Sequence, residues 1–426
     1  MKTLKSLVLA SLALGCASAA LAAPTAIIRI TGSTAFRTAT NAALAHILNS
    51  GFTFAFIGST YTGSNQAILS GTTIIGNIPI IIKTNFTGSV GGVQTLTQNL
   101  TEANAWLVNG TQSSSSGVAL VTASESFDAA TTADIAMSDS FQGSTLFGSP
   151  ALKDSVVGVT AFEWVRGNIT LSTSSTQNIA NLTNITTLQA QDLLAGGLPL
   201  KQFTGNPADE NVVVAVLGRD PDSGTRLVTF AESGFGIFGA PVQYMPSDTA
   251  SISGSQGLGD GSGAKTSGTI TSLVPAPGRT VDTTSVSAGQ AGYFSGGNLA
   301  KDLGRPINAT LDLQNGGGLQ PAFLIGYLGT SDAATAIGEG GTALTYNGVA
   351  ESAANVENGL YTFWSYEHLL TRFSLSSTNA DGATVAAQLA NQIINTDAAA
   401  SGQIALSSMT VGRAVEGGPV TDTRQQ

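Results

Sequence analysis

The sequence predicts an α/β protein of two lobes. Two observations carry this. Apolar, strand-like runs each end in a short Gly/Ser/Thr loop followed by a helix-like run, as alternating β and α elements require. The length, 426 residues, exceeds what one core usually supports.

Thr25–Ile30 alternates and then runs apolar, as a first buried strand would. The loop at Gly32 follows, and 35–48 is helix-like with Thr34 as N-cap. Residues 51–76 carry turns between short strands and look like an insertion. Ile78–Lys83 is a second buried strand leading to the loop at Gly88, and 93–107 has helical spacing. Residues 110–117 form a Ser-rich surface segment. Ala133–Met137 is a short strand running to Asp139. Val156–Val165 reads as a strand crossing between lobes, and 182–194 as a helix with Thr183 near its start. Val212–Leu217 is a strand feeding directly into Arg219. Residues 247–287 are poor in large apolar side chains and read as loops or an insertion. Ala322–Leu328 is again a buried strand, 355–372 begins as a turn and becomes helical, and 385–394 is a helix. The sheets should be largely parallel, which places ligands at the carboxyl ends of the strands.

The first residues form a secretion signal. Lys2 and Lys5 precede the apolar run Leu7–Leu14, and Ala20-Leu21-Ala22 fits a small-x-small cleavage site, giving a signal peptide at 1–22. A periplasmic or secreted protein is expected. Cys16 leaves a lipoprotein alternative, although Ala13-Leu14-Gly15-Cys16 lacks the preferred leucine three residues before the cysteine. Cleavage after Ala22 would leave no cysteine, so the core must be stable without disulfides.

The formal charge is −10, and losing the two positive charges of Lys2 and Lys5 takes it to −12. This disfavours nucleic-acid binding, which needs a basic face. It does not disfavour a small anion, which feels local dipoles and the nearest cation while distant charge is screened over about 10 Å. With two histidines in the chain, His46 and His368, and no mature cysteine, a zinc site is not expected, and no cofactor is implied. Gly257-Leu258-Gly259-Asp260-Gly261-Ser262-Gly263-Ala264-Lys265-Thr266 looks like a phosphate-cradling loop. It fails on the alanine before its lysine and on the absence of a preceding buried strand.

Chemistry concentrates in four loops: Thr31-Gly32-Ser33-Thr34-Ala35-Phe36, Gly88-Ser89-Val90-Gly91-Gly92-Val93, Ala136-Met137-Ser138-Asp139-Ser140, and Arg219-Asp220-Pro221-Asp222-Ser223-Gly224-Thr225. The last places a guanidinium four residues before a Ser-Gly-Thr turn that opens an apolar helix-like stretch. Such a turn directs N–H groups and hydroxyls to the positive end of a helix, which suits a tetrahedral oxyanion.

In this order the loops resemble those of the phosphate-binding proteins of ABC transporters, PstS-like proteins of the type II periplasmic-binding fold. Ile325-Gly326-Tyr327 is similar to that family's return strand, and Asn347-Gly348-Val349 with Asn358-Gly359-Leu360-Tyr361 to its late N-G stretch. The chain departs from the pattern by extra residues near 51–76 and 108–132, by Arg37 where a proline is usual, and by Pro221 where an acid is expected.

The resemblance implies two hinge-linked lobes with the ligand in the cleft between them. Lobe 1 would be discontinuous (23–155 and 325–426), and lobe 2 (156–324) would carry the insertion near 247–287. It implies a monomeric, non-enzymatic receptor that captures inorganic phosphate and delivers it to an ABC permease in the inner membrane. Its phosphate-binding residues would be Ser33, Thr34, Ala35, Ser89, Asp139, Arg219, Ser223, Gly224 and Thr225. Hydroxyls and the N–H groups of Ala35, Gly224 and Thr225 would donate, and Arg219 would give a forked pair. Ionised Asp139 would accept the proton that phosphate carries and sulfate lacks. Two alternatives are a surface or structural protein on the same fold and a receptor for another oxyanion.

Overall fold

The computed structural model describes residues 26–121, 124–169, 179–251, 267–281, 284–312 and 319–423. The signal segment, Cys16 and the string 257–266 lie outside them.

Strand Ala26–Gly32 sits between two parallel neighbours, Pro79–Asn85 and Ile135–Ser138, so the loops at Gly32, Gly88 and Asp139 leave the same edge. Its isoleucines Ile28 and Ile30 pack with Ile80, Ile82, Ile135 and Met137 in one core. β-Branched side chains stacked across adjacent strands fit a pleated surface buried on its faces. Strand Val213–Leu217 is wholly buried and pairs in parallel with Leu319–Gly329, in a second core with Trp164, Ile325 and Leu328. It leads to Arg219 as expected.

Strand Lys153–Arg166 joins the two halves. Its first part pairs with Trp364–Thr371 and its end with Leu319–Gly329, so one backbone runs from the first core to the second. The strand expected at 156–165 lies within these bounds.

Several expectations are corrected. The sheet is mixed: parallel pairing surrounds the site strands, while the joining strand is antiparallel to both neighbours. Thr34 caps no helix. Helix Arg37–His46 follows Phe36, and Thr34 turns toward Arg219 instead. The helix expected at 93–107 is Ser89–Gln98, stopped by Asn99 in a left-handed conformation. The helix expected at 182–194 is Thr187–Leu194, capped by Thr186 and Gln189. The segment 355–372 holds only a short helix, Ala353–Glu357, before strand Trp364–Thr371. Within 51–76, strands Thr53–Ile57 and Gln66–Thr72 are part of the main sheet. The described part of 247–287 includes strand Ile270–Pro275, paired with Tyr244–Pro246 and Ile307–Asp312.

Candidate functional site

Arg219 is the centre of the site. Its side chain is buried (1% exposed) and held by fixed acceptors. Nε donates to the Tyr293 carbonyl at 3.0 Å, and Nη2 to the Phe294 carbonyl at 2.7 Å. Nη2 also donates to Thr34 Oγ1 at 3.2 Å, and Nη1 to Thr225 Oγ1 at 3.4 Å. The Arg219 N–H donates to Tyr327 Oη at 2.9 Å. Burial lowers the guanidinium's pKa, and the carboxylates of Asp220, Asp332 and Asp139 counter it. A planar cation so anchored has little freedom left to lose on binding a ligand.

Thr34 and Thr225 accept from Arg219, so each hydroxyl keeps its own proton to donate. Ser33 Oγ accepts from the Phe36 N–H, Ser223 Oγ caps helix Gly224–Glu232 by accepting from the Arg226 N–H, and Ser89 Oγ accepts from the Asp139 N–H at 3.2 Å. Each serine is thereby oriented, with the Ser89 hydroxyl facing the Asp139 carboxyl and the Ser33 hydroxyl facing that of Glu367. The N–H groups of Ala35, Gly224 and Thr225 have no hydrogen-bond partner among the described residues. The last two belong to the first turn of a nine-residue helix, where the partial positive charge is greatest.

A buried carboxyl faces these donors. Asp139 is 1% exposed, and its Oδ1 has no hydrogen-bond partner. It lies directly against Gly224: a Cβ placed there would come within 1.4 Å of Oδ1 and 2.7 Å of the Ser89 Cβ. Burial pushes the Asp139 carboxyl up to about 6, and the Ser89 hydroxyl and Arg219 limit the rise. All nine residues expected from the sequence thus fall on adjoining loops. Ser33, Ser89 and Asp139 come from the strand edges of the first core, and Arg219 to Thr225 from the second.

The two sides touch through backbone. The Asp222 carbonyl accepts from the N–H groups of Val90 and Gly91, at 2.9 and 3.3 Å, at the start of helix Ser89–Gln98. Tyr327, the carbonyls of Tyr293 and Phe294, and Glu367 of strand Trp364–Thr371 also belong to the site and were not anticipated. The histidines lie apart from the Arg219 loop. His46 pairs with Asp397 at 2.8 Å and His368 with Asp154 at 2.9 Å, although neither aspartate is near its histidine in sequence. A cavity of about 100 Å³ lined by Lys153, Ser155, Leu369, Arg372 and Phe373 shares no residue with the site.

Fold and site together define a mixed α/β protein with a buried, arginine-centred cluster of donors that includes the Asp139 carboxyl. No protein-family model and no curated protein matches the chain. Among solved structures it is similar to an ABC-type phosphate transport receptor from Vibrio cholerae, at 13% identity over 88% of this chain and 99% of that one, with a TM-score of 0.43. It is also similar to a human phosphate binding apolipoprotein, at 11% identity over 89% and 91% with a TM-score of 0.40. A third likeness is to PstS from Borrelia burgdorferi, at 13% identity over 89% and 98% with a TM-score of 0.37.

Proposed function

We propose that the protein binds inorganic phosphate at Arg219 and delivers it, outside the cytoplasm, to an ABC permease. The observation that carries this reading is the pairing of many donors with the Asp139 acceptor. Arg219, the hydroxyls of Ser33, Thr34, Ser89, Ser223 and Thr225, and the N–H groups of Ala35, Gly224 and Thr225 surround an anion, while Asp139 accepts a proton from it. Monohydrogen phosphate offers that proton and sulfate does not, so a sulfate oxygen would meet an ionised, buried carboxylate.

The two sides of the cluster belong to the two lobes, which open and close about the joining strands. Closure forms the contacts of Asp222 with Val90 and Gly91. The receptor acts as an exported monomer, and the segment 1–22 is its signal peptide. Among the described residues no helix is long and apolar enough to cross a membrane.

The test is a thermal shift on protein freed of carried ligand by unfolding and refolding. Phosphate should raise the melting temperature of the wild type and leave Arg219→Ala unmoved. An equal shift in both proteins would remove Arg219 from the site and with it this reading.

A further inference from the structure

Strand Trp364–Thr371 passes beneath the four loops and brings one acid with it. Glu367 is fully buried, at 0% exposed, and neither carboxyl oxygen has a well-formed hydrogen bond. Its neighbours are the Ser33 hydroxyl and Asp139, both in the anion site. The backbone singles out this place: Glu367 pairs with Gly158 and His368 with Val156, so the register slips by one residue there. Such bulges re-aim side chains at sites. Two positions back, Ser365 stands opposite Thr160, and both of their hydroxyls are buried without partners. A run of unsatisfied polar groups on one face marks a built polar wall.

We propose that Glu367 is the second acid of the anion site, carrying a proton while Asp139 carries the charge, so that the site takes an anion only while Glu367 is neutral. This rests on the phosphate reading above. Two neighbouring carboxyls out of water cannot both ionise at modest cost, and the proton settles on the one farther from a cation. Arg219 counters the rise at Asp139, whereas no cation opposes it at Glu367, whose carboxyl burial pushes well above the usual range. Asp139 is the charged neighbour of Glu367. Arg219 and Glu416 act on Asp139, and His368, the next residue in the strand, is bonded to Asp154. Gly158, across the ladder, carries no side chain.

The experiment measures phosphate affinity from about pH 8 to about pH 10, where inorganic phosphate stays monohydrogen. Tyr327 stays neutral there, because burial pushes it up to about 12. The dissociation constant of the wild type should rise at least about tenfold as the protonated-carboxyl infrared band of Glu367 is lost with rising pH, because the acid then ionises beside a bound anion. In Glu367→Gln the rise should stay below about threefold, whatever its absolute affinity. Parallel profiles in the two proteins overturn the proposal. Absence of binding by the wild type at every pH overturns the phosphate reading as well, so the two failures are told apart. If Glu367→Gln does not fold, infrared difference spectra of the wild type near pH 8 decide. A protonated-carboxyl carbonyl band that shifts on phosphate addition supports the proposal, and its absence overturns it.

Discussion

Gly224 touches the Asp139 carboxylate, so the helix start that supplies N–H donors and the acid that accepts a proton are one contact. Any side chain at 224 must displace Asp139. Alanine is a better helix residue than glycine by about 1 kcal/mol, so Gly224→Ala should leave the helix intact. Phosphate affinity should nonetheless fall at least about a hundredfold, about 3 kcal/mol, as read by calorimetric titration. Unchanged affinity would show that Asp139 is not part of the site.

Asp139 itself should be a stability liability. Its folded carboxyl sits at about 6, above the ordinary 3.8, because it is buried. The folded state therefore holds the proton more tightly than the unfolded chain does. That stabilisation is full below the ordinary value and is lost as pH rises through about 6. Near pH 7 the ionised group costs about 3 kcal/mol. Asp139→Asn should thus raise the melting temperature of the ligand-free protein by a few degrees while weakening phosphate binding. In the wild type, sulfate binding should emerge as pH falls through about 6, where Asp139 becomes a donor. Denaturation curves and sulfate titrations at pH 5 and 8 check both.

Gly88 lies at the contact between the two sides of the site. Its φ is +112°, and a Cβ there would come within 2.4 Å of the Asp222 carbonyl oxygen. Gly88→Ala should therefore hold the sides apart. We expect phosphate release to quicken at least about tenfold in stopped-flow measurements while association changes little, since affinity changes fall mostly on dissociation.

The segment 411–422 ties both sides together. Glu416 accepts from the Phe141 N–H and the Ser144 hydroxyl, beside Asp139. Arg413 bonds Glu232 at 3.0 Å at the end of helix Gly224–Glu232 and lies 4.2 Å over the Trp364 ring. Arg413→Ala leaves the largely covered Glu232 side chain without its cation and should cost about 3 kcal/mol in urea denaturation.

The sequence made the site loops legible because each follows a short apolar strand and begins with residues that punctuate backbone. Arg219, Ser223, Gly224 and Thr225 could be read within one stretch of seven residues. Glu367 could not. The run Tyr361–Leu370 has apolar residues at spacings that suit both a helix and a doubly buried strand, and the helical reading hid the acid. Its aromatic content (Tyr361, Phe363, Trp364, Tyr366) was the available signal for a strand. The hairpin carrying Arg413 and Glu416 has strands of two residues each, Val411–Gly412 and Thr421–Asp422, too short for any periodicity.

The most direct measurement is calorimetric titration of the refolded mature protein with phosphate and then with sulfate at pH 8. Phosphate should bind tightly and sulfate at least about a hundredfold more weakly. Equal binding of the two anions would contradict the role of Asp139, and no heat with either would contradict the anion site itself.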